Sequence, residues 1–384
     1  MMASKRANTT NCNGQDNSVA ANLPEDIISD ILARLPVESV LVCKVICKNW
    51  YAVTRDPCFI KKVSNSPQQP SQLIIKTVPG GNEDDPPCHM LLHNIEGQTT
   101  RQIPIDRMIA ELQIMCSCDG FLCMASPYFL DPVVIYNPIT GDRLVLPSSG
   151  SVSGISHQAV GFGFDPSTEK YKVVRAYTIS GKEVTKFEII SIGEKSWREL
   201  CTPRVLAKRE GVRAVCWDGA LYWTMKKSFV TTIVQLDLRD EKFRYIKFPN
   251  ADHVMPCNDS FGLIEVGGCL TLMQAEDCFL SALKLMETRD GENPAFRLEG
   301  TYDMHVTYGR SMTCEILCQL KPRRYLIHVG ILLRGKRQEH LTQFLSDEEN
   351  YLIYDVIPGL PSCFSALCFK PTLLPLPAAA SSPN

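Results

Sequence analysis

The sequence has no C-x-x-C motif, no apolar run of membrane-spanning length and no excess of charge of either sign, and each absence removes a class of protein. Forty basic against 42 acidic residues leave a formal net charge of −2. The chain therefore lacks the positive field that nonspecific nucleic-acid binding demands, and nucleic acid is not an expected partner. No stretch is long and apolar enough for a membrane helix; Tyr325 to Leu333, among the longest apolar runs, has the length of a buried strand. The N-terminal segment carries Lys5-Arg6 with no apolar segment behind it, so neither a secretory signal nor a membrane anchor is expected. An intracellular protein of nucleus or cytoplasm follows, and its 17 cysteines are expected as reduced, small apolar residues.

Signatures of chemistry are missing as well. Cys116-x-Cys118, Cys43-x3-Cys47 and Cys314-x3-Cys318 have no second pair or histidine at a zinc-like spacing. Gly161-x-Gly163 lies inside a strand phrase, with no third glycine and no lysine-serine after it, and reads as strand glycine rather than a nucleotide fingerprint. The seven histidines form no metal-binding pair on one helix and no companion to a nucleophile elbow. Asp84-Asp85 and Asp347-Glu348-Glu349 are adjacent carboxylates in polar loops, which are ordinarily solvated. No catalytic residue, cofactor or metal is assigned, and the chain is not expected to be an enzyme.

What is present divides the chain. Residues 1–21 are polar and apolar-poor, a composition that predicts disorder. From Asn22 to Val63 the pattern is helical. Pro24 suits a first helical turn, Glu25 and Asp26 suit the positive end of a helix dipole, and Ile27, Ile28, Ile31, Leu32 and Leu35 recur at helical spacing until Pro36 stops the run. A second run, Val40, Leu41, Val45 and Ile46 with Cys43 and Cys47 between, leads into Trp50 and Tyr51. Short helices of this total length bury too little surface to stand alone, so a partner or a neighbouring domain must cover their apolar side. Ser64 to Gln72, SNSPQQPSQ, is a proline-interrupted polar linker.

Leu23-Pro24-Glu25-Asp26, Ile31-Leu32, Arg34-Leu35-Pro36, Ser39, Leu41, Cys43, Val45, Cys47-Lys48 and Trp50, with Asp56, Pro57 and Phe59 at the exit, resemble an F-box. Val42-Cys43-Lys44 departs from the arginine-rich run of many relatives. The resemblance implies docking on a Skp-family adaptor, and through it on a cullin. The contact residues it implies are Leu23, Pro24, Ile28, Ile31, Leu32, Leu35, Pro36, Leu41, Cys43, Val45, Cys47 and Trp50.

From Leu73 to Lys370 the texture is all-β: short β-branched and aromatic runs separated by turn signals. Tight hairpins at Asp119-Gly120, Asp218-Gly219 and Gly267-Gly268 supply the positive backbone angles of primed turns. Each is followed by a hairpin with a longer polar turn, beginning at Val133, Thr231 and Phe279; a further pair begins at Val160 and Lys186. First turns at Asp119, Asp165, Asp218 and Gly267 repeat at about 50 residues, the size of a four-stranded propeller blade. A fainter unit, Leu73 to Ile105, precedes them, and MTCEILCQL, RRYLIHVGILL and NYLIYDVIPG follow up to Gly359. The expectation is a β-propeller of six blades, one of them completed by strands from both chain ends, with a β-sandwich as the alternative. The proline-alanine-serine tail, 371–384, is expected to be flexible. IYNPITGDRLVLP, VGFGFDPSTEKYKVV and the Trp197 phrase SIGEKSWREL resemble the F-box-associated, kelch-like domains of plant F-box proteins.

Together the resemblances imply the substrate-recognition subunit of a Skp-cullin-F-box ubiquitin ligase, which binds a target protein and has no covalent chemistry of its own. In a four-stranded meander the middle-hairpin and interblade connections share one face. The loops 125–131, 147–157, 178–185, 201–212, 225–230 and 249–259 are therefore the candidate target surface, with Tyr128, Phe129, Arg204, Lys208, Arg209 and His253 as candidate contacts. Trp197, Trp217 and Trp223 read as packing between blades, and the basic clusters Lys321 to Arg324 and Arg334 to Arg337 as solvated. The alternative function is a lectin-like or scaffold propeller whose F-box serves as an attachment; an enzyme would need a central metal or acid-base cluster.

Overall fold

A computed structural model describes residues 23–64, 72–77, 89–94, 99–150, 154–180, 185–201, 214–227, 230–247, 260–266, 269–276, 279–286, 295–303, 312–321, 324–333, 336–346, 351–355 and 364–377. The chain divides into two compact units, Met1–Pro70 with Thr372–Leu374, and Ser71–Pro371 with Pro375–Asn384.

The first unit holds four short helices: α1 Glu25–Leu32, α2 Val37–Cys43, α3 Lys48–Val53 and α4 Pro57–Ser64. Pro24 and Pro36 occupy the N-cap positions of α1 and α2, each in extended geometry, so every proline here starts the next helix as it ends the preceding segment. Lys62 of α4 pairs with Asp30 of α1 at 2.6 Å. Ile28, Leu32, Val37, Val40, Phe59 and Val63 are buried. None of the described helices is long and apolar enough to cross a membrane. The expected loose tail is not loose at its start: Pro371, Thr372 and Leu373 are buried, and Thr372 Oγ1 lies 3.0 Å from Ser64 Oγ. A hydroxyl pair and a buried leucine give these residues contacts that their composition did not suggest.

The second unit is built of four-stranded antiparallel sheets. In chain order its elements are β1 Gln72–Thr77, β2 Met90–Asn94, β3 Thr99–Ile103, the helical turn α5 Arg107–Glu111, β4 Gln113–Cys118, β5 Phe121–Ala125, β6 Val133–Tyr136 and β7 Arg143–Val145. There follow β8 Ile155–Asp165, β9 Lys170–Ile179, β10 Thr185–Ser191, β11 Arg198–Glu199, β12 Val215–Trp217, β13 Ala220–Lys227, β14 Val230–Asp237 and β15 Phe243–Lys247. The last are β16 Ser260–Val266, β17 Cys269–Glu276, β18 Phe279–Met286, β19 Ala295–Asp303, β20 Met312–Lys321, β21 Arg324–Leu333, β22 Lys336–Ser346, β23 Tyr351–Asp355 and β24 Phe364–Phe369. Five sheets are simple meanders, β4 to β7, β8 to β11, β12 to β15, β16 to β19 and β20 to β23; the sixth has the order β24-β1-β2-β3, with β24 of the C-terminal region pairing β1 along its whole length.

Local chemistry explains the turns. Asp119 and Gly120, and again Asp218 and Gly219, all have positive φ, the backbone of a type I′ hairpin. The Gly267-Gly268 turn lies outside the described residues. Strand β22, KRQEHLTQFLS, has no counterpart in the sequence reading; its charged first half masks the alternation that marks a strand.

The first strands of the sheets pack on one another in cyclic order: β4 on β8, β8 on β12, β12 on β16, β16 on β20, β20 on β24 and β24 on β4. Among the described residues, the inner strands bury both faces, as β5, β6 and β13 show. On β13, Leu221 and Trp223 join Val174, Phe187 and Ile189 in one core cluster, whereas Ala220 and Tyr222 join Leu270 and Leu272 in another, the alternation of a strand filling two interfaces. Trp217 packs against that second cluster. Below these cores the buried pair Lys172 and Asp165, 3.0 Å apart, is joined by Glu241 at 3.0 Å from Lys172, and Arg198 binds the same glutamate. Burial pushes the Asp165 carboxyl up, but donors from Ser167, Lys172 and Thr168 outweigh it and hold the group well below the usual range.

Close approach explains the glycines of β8. A Cβ on Gly161 would fall 2.8 Å from Trp223 Cζ2 and 2.9 Å from Ala214 Cβ. Gly161→Ala is therefore expected to lower stability by about 1–3 kcal/mol through overpacking, measured as a shift of the urea midpoint at unchanged slope. A neutral result would mean that the Trp223 ring yields freely.

Candidate functional site

Two surfaces present what a binding protein needs. The first lies on the helical unit. Six of the eleven large hydrophobic side chains exposed among the described residues fall between positions 27 and 51: Ile27, Ile31, Val42, Val45, Ile46 and Tyr51. Val45 is 84% exposed and Val42 69%. A concentration of this kind marks an interaction site more often than a scatter of single residues does. Tyr51 carries a polar tip, its hydroxyl accepting from Arg55 at 2.7 Å.

This surface differs from the one the sequence resemblance implied. Ile31 and Val45 are exposed; Pro24 and Pro36 are exposed beside them, and Leu23, Leu35, Leu41, Cys43, Cys47 and Trp50 are half-buried. Ile28 and Leu32, by contrast, are fully buried and offer a partner no area. Helical spacing put Ile27, Ile28, Ile31 and Leu32 in one stripe, but that stripe splits: 28 and 32 point inward, 27 and 31 outward. Ile27, Val42, Ile46 and Tyr51, exposed as well, are not among the residues that the resemblance implies. Their signal was legible, since 42, 45 and 46 stand at spacings of three and four.

The second surface is the connection between β5 and β6, Ser126 to Pro132. Tyr128 is 53% exposed and Phe129 68%. The backbone beneath them is held from several sides. Buried Gln158 donates its Nε2 to the carbonyls of Ser126, at 2.5 Å, and Phe129, and its backbone N–H to that of Pro127, at 2.8 Å. Ser126 Oγ accepts from the Tyr128 N–H at 3.2 Å. Asp131 accepts from the Ser148 hydroxyl at 2.7 Å and the Ser149 N–H at 3.1 Å, tying this loop to the next.

Arg175 of β9 braces the loop from below. It is fully buried, donates to Glu188 through Nε at 2.7 Å and Nη2 at 2.5 Å, and reaches Asp131 and the Leu130 carbonyl through Nη1, each at 3.4 Å. Its guanidinium stacks on the Trp197 ring at 4.0 Å, and Trp197 Nε1 donates to the Pro147 carbonyl at 2.7 Å. Burial first, then the hydrogen bond to Glu188, pushes the Tyr177 hydroxyl well above its ordinary value, so it stays a donor to that carboxylate. Arg204, Lys208, Arg209 and His253, the other expected contacts, lie outside the described residues. Among the described residues no group of three histidine, cysteine or acidic side chains is arranged to hold a metal.

Comparison with known proteins fits this division. Residues 21–62 match the F-box domain, and residues 84–292 match the F-box associated beta propeller domain. The chain belongs to the F-box-associated propeller family. F-box protein At3g07870 of Arabidopsis thaliana is 26% identical over 283 residues, a match spanning 65% of this chain and 65% of that relative, just under two thirds of its length. F-box protein At5g49610 of the same plant is 25% identical over 381 residues, 94% of this chain and 99% of the relative. Among solved structures, a luciferin-regenerating enzyme aligns with a TM-score of 0.38 and 10% identity over 63% of this chain and 76% of its own, too loose a likeness to bear on function.

The bracing makes a testable claim. Arg175→Met leaves the half-buried Glu188 with the Tyr177 hydroxyl but without its cation, which costs up to about 3–5 kcal/mol. The variant is expected to melt at a lower temperature and to expose 126–131 to limited proteolysis. Intact resistance at that loop would show that Gln158 and Asp131 suffice.

Proposed function

We propose that this protein is the substrate-recognition subunit of a Skp-cullin-F-box ubiquitin ligase. Its helical unit docks a Skp-family adaptor through Ile27, Ile31, Val42, Val45, Ile46 and Tyr51, and its β unit, a six-bladed propeller, presents a target protein. The observation that carries the docking half is the exposed apolar cluster on a unit that matches the F-box domain. Each large side chain fully covered on docking contributes roughly 1.5–3 kcal/mol, so a few suffice to offset association costs. The cyclic packing of β4, β8, β12, β16, β20 and β24 supports six blades and argues against a sandwich, which has two sheets and no ring of first strands.

The target half rests on the loop face that carries Tyr128 and Phe129. No covalent step is required of this chain: holding a target beside a charged conjugating enzyme raises the effective concentration of its lysines. A glycan-binding role keeps one observation in its favour, two neighbouring exposed aromatics.

Val42→Asp combined with Val45→Asp is expected to abolish adaptor capture while leaving the thermal transition of the β unit in place. Leu32→Asp, at a buried site, is expected to unfold the helices instead. Capture at the original level by the exposed double variant would sink the docking assignment. For the other end, Tyr128→Ala with Phe129→Ala should change stability by no more than about 0.5 kcal/mol yet reduce adaptor-dependent capture of target proteins under proteasome block. Glycan-array binding lost in the same variant would favour the lectin-like reading.

A further inference from the structure

Cys118, at the end of β4, and Cys216, in β12, belong to different sheets and stand 98 residues apart in sequence, yet their Sγ atoms lie 4.0 Å apart. β8 packs against both strands and has no side chain at the meeting point: a Cβ on Gly163 would fall 2.8 Å from Cys216 Sγ. As residues both cysteines are half-buried, unlike Cys116 and Cys123, which are buried. Cys216 is the acceptor for the Cys118 thiol, and the backbone N–H of Phe164 points at the same sulfur. These donors hold Cys216 below the ordinary thiol value despite burial and the nearby Asp119 carboxylate, while the same hydrogen bond and burial push Cys118 well above it. Other titratable neighbours are Tyr171, whose hydroxyl donates to Asp119 at 2.9 Å, Tyr222 and Cys116.

We propose that Cys118 and Cys216 form a reversible, peroxide-responsive dithiol that cross-links β4 to β12. Cys216 is the nucleophile. Its thiolate attacks one oxygen of hydrogen peroxide, the O–O bond breaks, and the hydroxide released takes up a proton to leave as water, giving a Cys216 sulfenic acid. Cys118 then loses its proton and attacks the Cys216 sulfur; the S–O bond breaks and hydroxide leaves with that proton as a second water. Two thiols and one peroxide thus yield one disulfide and two waters, and a dithiol reductant reverses the bond by exchange while becoming a disulfide itself. Closing the sulfurs from 4.0 Å to about 2.05 Å requires side-chain rotation, and Gly163 places no side chain of β8 against the Cys216 sulfur. The bond ties strands that meet only in the folded state, so the oxidised protein should resist unfolding.

The test is peptide mapping of the reduced full-length chain after brief exposure to hydrogen peroxide and blocking of remaining thiols. The expected product is a cross-linked peptide pair containing Cys118 and Cys216, lighter by two hydrogen atoms and restored by dithiothreitol. In Cys118→Ser the sulfenic acid has no resolving partner, and dimedone should label Cys216; in Cys216→Ser, Cys118 should stay unlabelled over the same time. Oxidation confined to the exposed Cys58 and Cys201, with Cys118 and Cys216 alkylated as in untreated protein, would overturn the proposal. Dimedone labelling of Cys118 as fast as of Cys216 would overturn the assignment of nucleophile. Should a serine variant fail to fold by circular dichroism, the mapping of the unsubstituted chain decides the matter alone.

Discussion

The pairing of β1 with β24 is the constraint on which the β unit depends. Six register pairs, from Gln72 with Phe369 to Thr77 with Phe364, join the first strand of the unit to its last, and every residue of β1 is buried. The sheet that contains β2 and β3 has no first strand until residues 364–369 arrive, and the cyclic contacts β20 to β24 and β24 to β4 are absent without it. Closing so long a stretch costs little more entropy than closing a short one, because the cost grows only with the logarithm of length. The kinetic consequence is larger: the decisive pairing is among the least local in the chain.

Packing first strands on one another crowds the middle of the unit, and β8 shows how the sequence accommodates this. Gly161 admits Trp223 and Ala214; Gly163 admits Cys216 and Leu238. What looked from the sequence like a fragment of a nucleotide fingerprint, and was read as strand glycine, is the imprint of neighbouring sheets. The same closeness sets two cysteines of different sheets side by side. Fold geometry rather than sequence spacing brings them together, so no C-x-x-C search could have found the pair.

Much of the β architecture was legible because its signals are local. Asp-Gly turns demand positive φ and received it at 119–120 and 218–219, and eight hairpins read from turn residues and alternating apolar runs correspond to β4 through β19. The helical starts were legible for the same reason, since a proline fixes its own φ. Less legible was anything that depends on which side of an element faces inward. Ile28 and Leu32, contact residues by the resemblance, are buried within the unit; an amphipathic stripe states that a face is covered, not whether this chain or another covers it. β22 was lost to its charged first half. Tyr128 and Phe129 were reached only through loop topology, and nothing local announced Arg175, whose partners Glu188, Asp131 and Trp197 come from three separate segments.

The two surfaces solve opposite problems. On the helical unit, several apolar side chains remain in water, an unfavourable exposure that covering them would relieve. On the β unit only two neighbouring aromatics are exposed in the 126–132 connection, and the polar groups beneath them are spent on holding backbone: Gln158 on three carbonyls and Asp131 on two serines. Ordering a loop at the moment of binding would subtract from affinity, roughly 0.5–1.5 kcal/mol for each flexible side chain immobilised. Here the ordering is done during folding. Arg175 contributes to this: a cation buried between Glu188 and Trp197, it reaches Asp131 and the Leu130 carbonyl and so ties the connection that carries the two exposed aromatics to the sheet.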